Sequence, residues 1–225
     1  MPETNEVALR AHAAEAVARG SLIFHLDLAA ALAPQAVAAT QLAHERPVLA
    51  VDLGPHGYQV DVLSADLARD LARVTFAADG SAMLEPSHGA PTARARRIGE
   101  ATYTLRRLDP NARAVILPPH EDLIEAYLIA ESEREGDIVV GVHHRLRLTA
   151  DGRTVLAQTA LSRSPLTIPG TNGKPAFDIV LTHVLGETPS ELHVYLSLKH
   201  GVPLDIITAA NEEHWQVDGE RISLL

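Results

Sequence analysis

Val7, Ala11, Ala14 and Val17 recur every three or four residues, a spacing that predicts an N-terminal helix with one buried stripe. Thr4 or Asn5 offers a side-chain acceptor to its first free amides, and Gly20, just past Arg19, marks its end. Residues 22–28 alternate in places and fit a strand, and Pro34 suits the first turn of another helix running to about Glu45. Two apolar runs, 48–53 and 58–63, flank Gly54-Pro55-His56-Gly57 and predict a hairpin. Ser64 is placed to cap a short helix to Arg73, with Leu67 and Leu71 one turn apart. Residues 74–76 and 83–84, turning at Asp79-Gly80, form a second hairpin, followed by a loop over 86–92. Ile98, Ala101, Thr102, Leu105 and Leu108 keep a helical period, although the part from Ala101 also fits a strand.

From Ala112 onward the pattern is mostly β. Strands are expected over 115–117, 123–130, 138–149, 154–168, 177–184, 192–199, 204–208, 215–217 and 221–224. Asp151-Gly152, the stretch 186–190 and Asp218-Gly219 supply the turns. Helices and hairpins first, then a mostly antiparallel meander, predict an α+β fold. The expected organisation is a single domain over 1–225, with a sub-division near residue 110.

Strand alternation then sorts the polar side chains. If 186–190 closes a hairpin, the apolar sets of the flanking strands fall on one side, and His143, Arg145, Arg147, Thr182, His193, Tyr195 and Lys199 share the other. On such a face His193 is the candidate general base, with His143 and Tyr195 assisting, because imidazole exchanges protons near neutral pH. Arg145, Arg147 and Lys199 are the candidate anion-binding groups. The bland alternative is a solvated or covered polar face, ordinary for an antiparallel sheet. His144 and His183 fall on the apolar faces, where they are either hydrogen-bonded core residues or a weak metal pair lacking a third ligand.

Composition narrows the choices. The formal charge of −10 disfavours nucleic acid as a partner, and the absence of cysteine excludes disulfides, thiolate metal sites and a cysteine nucleophile. No basic leader or membrane-length apolar run is evident, so a cytoplasmic protein is expected. Aromatic residues are only 4% of the chain, which leaves Ala, Leu and Val to fill the core by close approach.

Familiar motifs are incomplete. His44-Glu45 and His120-Glu121 lack the second histidine of a helical zinc motif, and Gly170-Thr171-Asn172-Gly173-Lys174 is too short in glycine spacing for a phosphate loop. No G-x-S-x-G or G-x-G-x-x-G is present. Asp52-Leu53-Gly54 between two strands resembles the first phosphate hairpin of the actin-like sugar-kinase superfamily, which implies a metal- and phosphate-serving aspartate. Pro55 stands where that family usually has a hydroxyl residue, and no second phosphate motif appears. Arg94, Arg96, Arg97, Arg106 and Arg107 form a basic cluster suited to an acidic partner or to a solvated helix face, with Arg96 and Glu100 one turn apart. Residues 127–168 resemble uncharacterised bacterial proteins of no assigned activity, which implies β structure and names no catalytic residue.

These residues lead to two expectations. The first is a bacterial binding or interaction protein, without a cofactor, that meets a protein partner or a second copy of itself through its sheet. The second is a small hydrolase or transferase acting on an anionic small molecule through the His/Tyr/Arg face, with a metal-dependent variant.

Overall fold

The computed structural model describes residues 2–38, 40–54, 57–76 and 81–225. In chain order its first elements are α1 (Pro2–Ala38), a 3-10 helix (Gln41–Glu45), β1 (Val48–Gly54), β2 (Gly57–Leu63), β3 (Asp70–Phe76), β4 (Ala82–Gly89) and α2 (Ala93–Leu108). Then come β5 (Arg113–Ile116), β6 (Leu123–Ile129), β7 (Ile138–Val139), β8 (His144–Thr149), β9 (Val155–Ala160), β10 (Thr167–Ile168) and β11 (Ile179–His183). Last are α3 (Glu191–His200), β12 (Leu204–Thr208), β13 (His214–Asp218) and β14 (Arg221–Leu224). This is an α+β fold, as the pattern predicts. The predicted turn residues Pro55-His56 and Asp79-Gly80 lie outside the described residues.

The long α1 replaces the predicted helix, strand and second helix. Its buried residues Leu9, Ala13, Ala16, Gly20, Ile23, Leu26, Ala29, Ala33 and Val37 follow one another at helical spacing, so a single stripe runs the length of the helix. Gly20 is interior rather than terminal. A Cβ at this position would lie 2.5 Å from the Glu191 carbonyl oxygen and 2.6 Å from Val194 Cβ, so α1 and α3 approach as closely as glycine permits. Pro34 also lies inside the helix. By length and composition Glu6–Ala38 is apolar enough to cross a membrane, which differs from the expectation that no such run exists.

Two compact units emerge from interleaved segments. One comprises His25–Ile129 and His144–Thr159. In it β1 to β4 form an antiparallel sheet in chain order, and β5, β6, β8 and β9 form a second sheet in that order. Ala29, Ala33 and Val37 of α1 pack with Val60, Val62, Ala72 and Val74 of the first sheet. A second cluster joins Val48, Ala50 and Leu63 to Ile98, Ala101 and Leu105 of α2, and to Ile124, Ala126, Leu146 and Leu148 of the other sheet. Each fully buried Leu or Ile there contributes about 1.5–3 kcal/mol of transfer free energy. The predicted helix after Ser64 is instead a tight turn leading into β3. Leu67 N–H returns to the Ser64 carbonyl at 2.8 Å, and Arg69 N–H to the Ser64 hydroxyl at 2.9 Å. Pro86 to Gly89, expected as loop, extend β4.

The Asp151-Gly152 turn joins β8 to β9 as predicted. Gly152 has φ +76, and a Cβ on it would meet the Arg97 carbonyl oxygen of α2 at 2.6 Å, so both conformation and space require glycine.

The other unit comprises Met1–Phe24, Ala130–His143 and Ala160–Leu225. Here β11, β12, β13 and β14 form a sheet in that order, with β11 and β12 parallel and the other pairs antiparallel. The parallel pair corrects the local expectation of a hairpin at 186–190. Residues 192–199 are not a strand but the body of α3, which carries the chain from β11 to β12. The strand expected over 138–149 is broken into β7 and β8 at Gly141 and Val142. Val142 takes a left-handed φ of +58, and a side chain at Gly141 would collide with the Ser164 carbonyl oxygen.

Candidate functional site

Because 192–199 is helical, His193, Tyr195 and Lys199 do not share a sheet face with Arg145 and Arg147. α3 arranges them by its own period. Tyr195 and Lys199, four residues apart, meet on one side, where the Lys199 ammonium donates to the Tyr195 hydroxyl at 2.9 Å and to Glu131 at 2.5 Å. Tyr195 is fully buried. Lys199 is therefore already engaged by an oxygen acceptor and a carboxylate.

His193 is the third residue of α3, and its Nδ1 accepts the N–H of the capping residue Ser190 at 2.9 Å. The imidazole closes the first turn of the helix as a Glu or Gln does in a capping box. Burial first, then the neighbouring His183 and His143, push it down to about 3. It is neutral at physiological pH and a weak base. His183 meets it edge-on, with ring centroids 4.9 Å apart. Burial also lowers His183, against the opposing pull of the Glu191 carboxylate.

His143 is 1% exposed. Its Nδ1 accepts the Ala130 N–H at 3.1 Å, and its Nε2 lies 2.8 Å from the Val139 carbonyl oxygen, to which it donates. Both ring nitrogens are thus held by backbone as the neutral tautomer, with no lone pair left for a metal or a substrate proton. His144 opens β8 opposite Leu128. Among the described residues, no group of three His, Cys, Asp or Glu has the arrangement of a metal site.

Arg145 and Arg147 occupy a different setting. They alternate along β8 with the core residues Leu146 and Leu148 and project from the opposite face. Directly across on β6 stand Tyr127, opposite Arg145, and Glu125, opposite Arg147. The two arginines line a shallow groove of about 610 Å³, together with His120, Glu121, Asp122 and Glu125 toward β6 and Ala157 and Thr159 on β9. The groove is mixed in charge toward β6 and uncharged along β9.

β9 itself was hidden in the sequence inside an overlong predicted strand. Its six residues, Val155-Leu156-Ala157-Gln158-Thr159-Ala160, carry no charge and no proline, and five of the six are exposed, Leu156 at 59%. It ends the order β5-β6-β8-β9, so one row of its backbone N–H and C=O groups is unclaimed by the sheet. Two other edges are blunter. β4 carries Glu85 and Pro86, and β14 has only four residues and includes Arg221.

Two other sequence candidates have structural partners. The Asp52 carboxylate, where a phosphate-serving aspartate is implied, is 5% exposed and accepts from Arg94 through both Nε and Nη2, the latter at 2.8 Å. This fork pair raises the Arg94 guanidinium further and occupies both carboxylate oxygens of Asp52. Within the basic cluster, Arg97 donates to the carbonyls of Ala150 and His120, and Glu100 pairs at 2.7 Å with Arg153 rather than with Arg96.

No family model, curated protein or solved structure matches the chain.

Proposed function

We propose that this chain is a binding protein of the bacterial cytoplasm that takes up an extended protein segment along the free edge of β9. The observation carrying this reading is an uncharged, proline-free, exposed edge strand. Such an edge is a template for strand addition, and folds that avoid pairing place lysine, proline or a bulge there. The absence of cysteine fits a reducing compartment. The buried stripe of α1, with Asp27 paired to Arg113 at 2.5 Å, fits a core helix better than a membrane span.

Catalysis through the histidines has less support. His193 spends its Nδ1 lone pair on a helix cap and stays the neutral imidazole near neutral pH, and His143 has both nitrogens on backbone.

The chain's lack of cysteine makes a direct test simple. Gln158→Cys on β9 and Arg107→Cys on α2 are each exposed to an extended hexapeptide bearing one terminal thiol in a disulfide-exchange buffer. Mixed-disulfide formation at least tenfold faster at 158 is expected. Equal rates at the two positions contradict strand addition.

A further inference from the structure

We propose that Asn172 is a site of spontaneous deamidation, through which the turn over 171–174 converts itself to an aspartyl and an isoaspartyl form. The segment Gly170-Thr171-Asn172-Gly173-Lys174, too short to cradle phosphate, folds as a two-residue hairpin turn. Thr171 N–H donates to the Lys174 carbonyl at 2.9 Å, and Lys174 N–H to the Thr171 carbonyl at 3.1 Å. Asn172 and Gly173 at the tip take left-handed φ values of +53 and +72, as a type I′ turn requires. Both residues are exposed, and among the described residues neither the Asn172 carboxamide nor the Gly173 N–H has a hydrogen-bond partner.

Gly173 has no Cβ to shield its amide nitrogen from the neighbouring carboxamide. That nitrogen attacks Asn172 Cγ: the N–Cγ bond forms, the Cγ–Nδ2 bond breaks, and ammonia leaves with the Gly173 amide proton. Water then opens the cyclic imide at one of its two carbonyls. One opening gives aspartate, and the other gives isoaspartate, whose main chain runs through the side-chain carbon. Ring closure requires Asn172 to leave its turn conformation, so the rate is set by opening of the two backbone hydrogen bonds. Asn111 and Asn211 differ: Asn111 precedes Ala112, and Asn211 accepts from the Thr208 hydroxyl and donates to the Glu187 carbonyl at 3.0 Å. The neck of the turn has no room for a longer main chain. A Cβ on Gly170 would stand 2.5 Å from the carbonyl oxygens of Gly136 and Lys174, and the Gly170 N–H is held at 2.9 Å by the Asp137 carboxylate. The extra main-chain atom of isoaspartate is therefore taken up at the tip, where it breaks the Thr171–Lys174 pair.

The test incubates the full chain beside the free peptide Pro-Gly-Thr-Asn-Gly-Lys-Pro at mildly alkaline pH. Peptide mapping by mass spectrometry and enzymatic methylation of isoaspartate are the readouts. Conversion is expected at Asn172 ahead of every other asparagine, about tenfold slower than in the peptide because the turn must first open. Gly173→Ala is expected to slow conversion about tenfold in chain and peptide alike, since its methyl group shields the attacking nitrogen. An Asn172 still intact when the peptide is fully converted overturns the proposal, as does conversion led by Asn111 or Asn211. Amide hydrogen exchange then follows the consequence. Thr171 and Lys174 are expected to lose protection in the isoaspartyl-enriched chain and to keep it in Asn172→Asp, whose main chain is of normal length. Equal protection in the fresh and isoaspartyl-enriched chains overturns the claim that conversion opens the turn.

Discussion

Histidine 193 illustrates how a residue type misleads until its neighbours are known. In sequence it is a plausible base. In the fold it holds a helix cap in a buried site and is pushed down to about 3. This has a consequence for stability. Between the folded value near 3 and the ordinary value of 6.5, the unfolded chain takes up a proton that the folded chain refuses. Stability is therefore full above pH 6.5 and is lost as pH falls through that window, by about 1.4 kcal/mol per pH unit for this one group. His183, lowered in the same direction, adds to the slope. His193→Gln keeps a capping acceptor but cannot titrate, so urea midpoints measured from pH 7 to pH 4 should fall less steeply than in the unmodified protein. An unchanged slope would show that this imidazole is not the source. Gly20 offers a second check: Gly20→Ala forces a Cβ against Glu191 and Val194 and should lower stability by about 1–3 kcal/mol in chemical denaturation.

Elements were legible where local chemistry and burial agree. The β1–β2 hairpin, the Asp151-Gly152 turn and the β13–β14 pair follow from apolar runs punctuated by glycine, and α2 from the helical period of Ile98, Ala101, Thr102, Leu105 and Leu108, as expected. α3 failed for a physical reason. Every residue from Leu192 to Ser197 is buried, so the helix has no polar face, and its alternating Leu192, Val194, Leu196 and Leu198 imitate a strand. The decisive signals were at its ends: Ser190 capping it and Glu191 in its first turn, Lys199 and His200 in its last turn, and Gly201 just after it in the left-handed conformation at φ +64. In α1, Gly20 reads as a stop in the sequence because the close approach of α3 is invisible along one chain. The turn at Gly152 yields an element-scale prediction. Gly152→Ala combines a left-handed φ with a collision against α2, and should cost about 1–3 kcal/mol in thermal or urea unfolding while leaving far-UV circular dichroism unchanged.

At the scale of the molecule, the sequence contained the α+β class but not the interleaving of segments, since each unit is completed by residues far apart in the chain. The expected polar sheet face was divided by one misread element. Arg145 and Arg147 lie in their groove, while His193, Tyr195 and Lys199 travel with α3. What emerged in its place, the bare edge of β9 beside two arginines, depends on which strand is last in the sheet, a property of topology that no local pattern encodes. The most direct measurement is amide hydrogen exchange of the full chain with and without an extended hexapeptide. Slowed exchange confined to Val155–Ala160 on peptide addition is the predicted result. Binding with unaltered exchange across β9, or with protection appearing only elsewhere, would contradict the account.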